Sequence, residues 1–267
     1  VVPFGMVQLS PDNGDEGWDW CSGYHYSSST IAGFSHMHLS GTGIGDWCDI
    51  SVLPLTDTQQ IRQEKIRIPF SHTNESAKPG YYAVTLSNQV KCELTANERT
   101  GFHRYTFPGK EGWLRFDMGF RINWDQSTNG MLQVLNDSTI VGYRYSTGWA
   151  KGQKVYFAAR FSSPIKNYVF ADDTARTDNR ADGKLVKLAL QFATTQPLLV
   201  KISLSTVGTT KALQELNRNQ AQQFNAVYRQ ADRLWERELQ KIKITTKDTA
   251  LATRFYTSVY RTCLAPL

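Results

Sequence analysis

The chain is poor in cysteine, and none of its cysteines has a spacing that binds metal or shuttles electrons. Cys21, Cys48, Cys92 and Cys263 are the only four in 267 residues, and without a C-x-x-C pair a zinc ribbon or a thioredoxin-like motif is excluded. Cys21 and Cys48 share one long polar region and could pair if it folds back on itself. Cys92 in a strand pattern and Cys263 on a helix have the surroundings of small buried hydrophobes, so four free thiols are expected. Long apolar runs are also missing, which argues against a membrane-spanning helix. The start, Val1-Val2-Pro3-Phe4-Gly5, has no initiator Met and no charged segment ahead of an apolar block. No targeting signal is therefore visible, and a mature or trimmed product is expected. Dense basic clusters are absent as well. The net charge of +6 comes from Lys and Arg scattered along the chain, so nucleic acid is not an expected partner. No Walker or dinucleotide glycine pattern occurs, and Ser10, Ser40 and Ser51 lack the G-x-S-x-G context of a nucleophile elbow. Phosphate chemistry and serine hydrolysis are disfavoured.

What is present is the balance of a globular protein, 40% hydrophobic and 20% charged, with one large domain or one plus a small one expected. From residue 49 to about 206, short period-two or β-branched segments alternate with turn residues. The best are Asp49–Leu55, Ile61–Ile68, Tyr81–Ser87, Val90–Ala96, Gly101–Phe107, Trp113–Met118, Thr139–Tyr145, Lys154–Phe161, Leu185–Phe192 and Leu198–Leu204. They predict a mainly β fold, an antiparallel β-sandwich of two large packed sheets. Beyond Gly208 the character changes. Phe224, Val227, Tyr228, Ala231, Leu234, Trp235, Leu239 and Ile242 recur at helical steps, and after Thr245-Thr246-Lys247-Asp248 a second helical pattern carries Phe255, Val259 and Leu264. The expected division is a sandwich domain over 1–208, with a long N-terminal ligand-facing loop region, and helical linkers over 209–267.

The segment Gly33-Phe34-Ser35-His36-Met37-His38-Leu39-Ser40-Gly41-Thr42-Gly43-Ile44-Gly45-Asp46-Trp47 is the most chemically loaded stretch. Its four glycines free the backbone for positive φ or close approach, and the residues between them offer hydroxyls, imidazoles, a carboxylate and an indole. It reads as a loop built to touch a ligand, and polar groups beside an aromatic platform suit a sugar. His36 and His38, two apart, could join Cys21, Cys48, Asp46 or Asp49 around a metal, but the spacing matches no zinc pattern, and hydrogen bonding to backbone or substrate hydroxyls is the favoured role. Asp12, Asn13, Asp15, Glu16 and Asp19 form an acidic run that does not match a D-x-[DN]-x-[DN]-G calcium loop, so a solvated turn is expected. Trp18, Trp20, Tyr24, Tyr26, Phe34 and Trp47 crowd the first fifty residues, at least half of them as packing groups. Tyr143-Arg144-Tyr145-Ser146-Thr147-Gly148-Trp149 could flank the same site or form a domain contact.

Several of these stretches resemble the N-terminal domain of glycoside hydrolase family 92. They are Val2–Pro11, Gly23–Tyr26, Thr30–Gly43 and Gly45–Ile50, continued through Glu98–Tyr105, Gly142–Trp149 and Phe255–Thr262. The resemblance covers essentially the whole chain and is most specific from Gly33 to Asp49. It implies calcium-dependent, exo-acting, inverting α-mannosidase activity on mannose-containing glycans. It also implies an N-terminal sandwich joined by helices to an (α/α)6 barrel that carries the catalytic carboxylates and most of the calcium environment. On that basis residues 209–267 would lead into a barrel partner, no residue here inherits a catalytic or metal-binding role, and the chain alone would be inactive. The substrate-facing positions implied are Trp47, on the leaving-group side of the sugar, with Ser40, Gly41, Gly45 and Asp46 shaping the wall and His38 beside them. Export to a periplasm or cell surface is implied by the family alone.

Two other readings carry distinct expectations. A free-standing, lectin-like carbohydrate-binding module would show a polar outer face on the helices, whereas the part-enzyme reading predicts exposed apolar surface around Trp235, Phe255 and Tyr260. A complete hydrolase would need a facing carboxylate pair among Asp15, Asp19, Asp46 and Asp49.

Overall fold

A computed structural model describes residues 1–39, 43–171 and 175–264. The strands, in chain order, are β1 (Ser10–Asp12), β2 (Thr30–Ile31), β3 (Gly33–Ser35), β4 (Ser51–Leu55), β5 (Ile68–Lys78), β6 (Tyr81–Leu86), β7 (Lys91–Ala96), β8 (Thr100–Thr106), β9 (Glu111–Asp117), β10 (Gln126–Asn136), β11 (Thr139–Thr147), β12 (Gln153–Phe161), β13 (Ile165–Ala171), β14 (Ala175–Arg176), β15 (Arg180–Gly183), β16 (Lys187–Ala193) and β17 (Leu198–Ser205). Helices α1 (Thr209–Arg218), α2 (Phe224–Leu239) and α3 (Thr249–Thr262) follow.

The strands form two antiparallel sheets. One has the order β1-β3-β4-β9-β16-β13, and the other β14-β15-β10-β11-β12-β17-β8-β7-β6-β5-β2. Alternate side chains of each meet in a shared apolar core. Phe116 of the smaller sheet stacks on Phe157 of the larger at 6.0 Å, and Phe192 meets Phe161 at 4.9 Å. The expected mainly β sandwich is therefore the observed fold. Helices α1 and α2 cover the outer face of the larger sheet: Ala212 and Leu216 pack on Val141 and Ala158, and Phe224 and Val227 on Phe102.

Differences from the expected segments have local causes. Ile61–Ile68 is not a strand, because four consecutive exposed residues, Arg62 to Lys65, follow the 3-10 turn Thr58–Gln60. The strand starts at Ile68 and runs on to Lys78, through polar residues that carry little strand propensity. β10 opens with Gln-Ser-Thr-Asn-Gly, which reads as a turn, and is a strand because β11 pairs with it along its length, with β15 joining on the other side from Gly130. The long helix ends at Leu239, leaving Ile242 exposed. Trp235 departs from the exposed apolar surface expected of it: it is buried, its indole N–H donates to the Val1 carbonyl at 2.9 Å, and its ring lies 4.5 Å from that of Tyr260. Phe255 and Tyr260 are half-buried, and the exposed apolar side chains nearby are Ile242 and Leu251. All four cysteines are free thiols.

Candidate functional site

The glycine-rich segment begins inside the sandwich and not as a loop. Gly33 sits in β3, where a Cβ would meet the Ser51 hydroxyl of the adjacent strand, so a larger residue would require that hydroxyl to turn away. Phe34, Ser35 and His36 are fully buried. The reading of this first third as ligand-touching is thereby corrected: strand pairing turns its side chains into the core. His36 Nδ1–H donates to the Ile50 carbonyl at 2.7 Å, which leaves Nε2 to accept from His103 Nε2–H at 2.9 Å. His103 Nδ1 then accepts from the Tyr105 hydroxyl at 2.8 Å. Both of these imidazoles are neutral, since burial pushes His36 down to about 4 and His103 well below its usual range.

His38 takes a different path. Its Nδ1 lies 2.6 Å from the Gln8 carbonyl and its Nε2 2.8 Å from Asp12 Oδ1, so both nitrogens donate and the ring is an imidazolium. Burial alone lowers its pKa, but the Asp12 carboxylate outweighs that and raises it. Asp12 is fully buried, which corrects the expected solvated acidic turn; only its later members, Glu16 and Asp19, are exposed. Cys48 completes a buried trio with Asp12 and His38, their candidate ligand atoms within 4.8 Å of one another. This set of one carboxylate, one imidazolium and one thiol pushed up by burial does not suit calcium, which takes six to eight oxygens. The substrate-facing placement given to His38 meets a side chain only 4% exposed.

From Gly43 to Asp46 the segment has no regular secondary structure. Ser40 and Gly41 lie outside the described residues. Gly45 and Asp46 are buried, and Trp47 is partly buried against the core. Asp46 accepts from the Trp149 and Ala150 amides at 2.9 and 2.8 Å and from the Gln153 side chain at 3.0 Å. It thus fastens the β11–β12 turn, where a Cβ on Gly148 would come within 2.1 Å of its Oδ1. Trp47, Cys48 and Ile50 have left-handed backbones, with φ of 78°, 58° and 60°. Such conformations in non-glycine residues persist only where the surroundings fix them. Here they are fixed by the Cys48 amide on the Met37 carbonyl at 2.8 Å, the His36 amide on the Asp49 carbonyl at 2.9 Å and a bridge between His38 and Trp47.

Under the loop lies a hub that the sequence reading left undefined. Arg144, fully buried, donates to Asp49 at 2.6 Å, Asp125 at 2.5 Å and the Met118 carbonyl at 3.0 Å. Burial would lower the guanidinium pKa, and the two carboxylates raise it. Asp125 is pushed up to about 6 by burial, against the pull of Arg144. One signal could have found Arg144: the alternation Ile140, Gly142, Arg144, Ser146 places it on the inward face of β11. Asp49 and Asp46 are both engaged in these internal contacts, so they do not form the facing acid–base pair of a complete hydrolase.

Exposed indoles surround the loop. Trp18 is 73%, Trp149 72% and Trp124 47% exposed. The Trp18 ring lies against Gly43, the Gly17 backbone exchanges hydrogen bonds of 2.7 and 3.1 Å with Asn123, and Trp149 follows the turn held by Asp46. Exposed indoles beside a fixed backbone form a surface suited to the apolar faces of sugar rings.

The sequence and fold are similar to those of known proteins. The chain is 33% identical to a family GH92 α-mannosidase from Bacteroides thetaiotaomicron over 100% of its own length and 38% of that protein's, with a TM-score of 0.92. A GH92 inverting mannosidase of the same organism shares the fold, at 24% identity, 98% and 36% coverage and a TM-score of 0.83. A protein of Arthroderma benhamiae described as an uncharacterized secreted glycosidase is 29% identical over 115 residues, 40% of this chain and 14% of that protein. The chain thus spans well under half the length of these relatives. Residues 211–267 match the glycosyl hydrolase family 92 catalytic domain. Residues 1–205 match the glycosyl hydrolase family 92 N-terminal domain, and the chain belongs to that family.

Proposed function

We propose that the chain is the sandwich portion of an inverting exo-α-mannosidase acting on mannose-containing glycans, and that its Gly43–Trp47 loop forms part of the sugar pocket. The observation that carries this is the hydrogen-bonded loop with its rim of exposed indoles, within a domain of this family. The similar Bacteroides mannosidase has also been solved in complex with mannoimidazole. In this reading Trp47 packs on the leaving-group side of the sugar, and Ser40, Gly41, Gly45 and Asp46 shape the wall, Asp46 by holding the β11–β12 turn. His38 acts from behind, pinning β1 to the loop through Gln8 and Asp12.

An inverting hydrolysis needs an acid and a base that activates water across the glycosidic bond. Those carboxylates, and the oxygen-rich calcium site the family implies, would come from a barrel partner continuing the match at residues 211–267. Residues 1–208 would form the sandwich domain and 209–267 the linker into the barrel. Export is proposed from the secreted fungal relative; no helix among the described residues is long and apolar enough to cross a membrane. The test is hydrolysis of an α-mannobiose by the 267-residue chain, with calcium and with a chelator. No release of mannose is expected. Calcium-dependent release by a sample of the correct mass would place a complete acid–base pair within these residues and overturn the reading.

A further inference from the structure

Next to the indole-rimmed loop, a cleft of about 500 Å³ opens where the β9–β10 connection meets the start of β16. Its size is that of a small-molecule site, about 300–1,000 Å³. Six cationic side chains line it: Lys65, Arg67, Arg115, Arg121, Lys184 and Lys187. Among the described residues three acidic ones, Glu16, Glu64 and Asp117, join them, so cationic side chains outnumber acidic ones on its walls.

The cations divide into two groups. Arg115 is almost fully buried and is aimed by its bonds to Asp117 at 3.1 Å and to the Gln63 carbonyl at 2.9 Å. Arg67 is fixed by Asp15 and the Gly14 carbonyl. Arg121 and Lys184 are exposed at the mouth, and among the described residues neither has a carboxylate within ion-pair distance. Lys65 reaches only as far as Glu16, at 3.8 Å. Guanidinium and ammonium groups converging on one concavity focus a positive potential into it and match a tetrahedral oxyanion. Phe120, half-buried, and Leu185, exposed, line the same mouth. They give an apolar surface next to the charges, and the volume exceeds what a bare oxyanion fills.

We propose that this cleft binds an oxyanion carried on a sugar, a phosphate or sulfate ester, at a site separate from the Gly43–Trp47 loop. The connection that forms its wall, Gly119–Arg121, continues directly into Asn123, which bonds Gly17, and Trp124 of the indole rim. An anionic branch held here would leave the rest of the glycan beside the loop. The inference does not require the hydrolytic reading to be correct.

The test is calorimetric titration of the 267-residue chain at low ionic strength with a hexose 6-phosphate, a hexose 6-sulfate, inorganic phosphate and the unmodified hexose. The esters are expected to bind one per chain, more tightly than inorganic phosphate, with affinity falling as salt rises. Equal affinity for inorganic phosphate would keep an oxyanion site but assign it to the free anion. The triple variant Lys65→Gln, Arg121→Gln, Lys184→Gln is expected to weaken ester binding about tenfold or more without changing the melting temperature, since all three side chains are exposed. Should the triple variant fold poorly, amide shift changes on adding ester to the unmodified chain locate the site, and they are expected at residues 64–67, 119–121 and 184–187. No ester binding, binding that the folded triple variant leaves unchanged, or shift changes elsewhere would each overturn the proposal.

Discussion

At the residue scale the determining contact is Arg144 between Asp49 and Asp125, because it joins β11 to the end of the glycine-rich loop. Removing one partner of a buried ion pair costs about 3–5 kcal/mol, since a charge is left uncompensated. Arg144→Met is therefore expected to destabilise the chain by that amount, and adding Asp49→Asn and Asp125→Asn to recover most of the loss. Urea unfolding of the single and triple variants checks this, and equal stabilities would refute it. The buried histidines give opposite pH dependences. His36 has a folded pKa of about 4, below its ordinary value near 6.5. Its neutral burial contributes stability fully above that ordinary value, and the contribution is lost as pH falls toward 4, on the order of 3 kcal/mol. His38 has a raised pKa, so its contribution is full below about 6.5 and is lost as pH rises through the folded value. In melting temperatures across pH 4 to 9, His36→Gln is expected to flatten the acid limb and His38→Gln the alkaline one. Unchanged limbs would refute both assignments.

At the element scale, the loop and the β11–β12 turn depend on each other through Asp46. Gly148→Ala forces a Cβ against that carboxylate. The turn is expected to shift and expose Trp149 and Trp47 to altered surroundings, with a stability loss of about 1–3 kcal/mol. Tryptophan fluorescence alongside thermal melting checks this, and an unchanged spectrum with unchanged stability would refute the coupling. Legibility in the sequence follows the same division. Lys154–Phe161 and Leu198–Leu204 were readable because their larger apolar residues, Val155, Phe157 and Phe161 and Leu198, Val200, Ile202 and Leu204, alternate onto one sheet face. The opening of β10 was not, because its pairing with β11, and not its own composition, makes it a strand. Within the candidate site, the aromatic and glycine content of the loop was legible. The inward turn of His36 and the partners of Asp46 were not, since both depend on contacts made across the fold, His36 with His103 and Asp46 with the turn at 149–153.

At the scale of the whole molecule, the sandwich and the first two helices behave as one unit even though the sequence changes character at Gly208. Leu216, Phe224, Val227 and Trp235 are all buried, and the sheet positions beneath them, Phe102, Val141 and Ala158, lose their cover if the helices are removed. At about 1.5–3 kcal/mol per large apolar side chain, the four contribute roughly 6–12 kcal/mol before the ordering entropy of the helices is subtracted. That gross figure is comparable to the entire stability of a typical domain, about 5–15 kcal/mol. The N-terminal segment adds to the tie: Val1 accepts from Trp235, the Phe4 amide donates to the Cys263 carbonyl at 2.8 Å, and Gln8 donates to the Leu264 carbonyl at 2.6 Å. α3 itself has no fully buried side chain and is held at its C-terminal end by these contacts and by Tyr260 against Trp235. A chain cut after residue 208 is therefore expected to melt well below the full chain and to bind a hydrophobic dye, whereas one cut after residue 244 keeps α1 and α2 and should lose much less. Dye-binding and thermal melts of the two truncations decide it, and a 1–208 chain as stable as the whole would show that the sandwich core alone carries the fold.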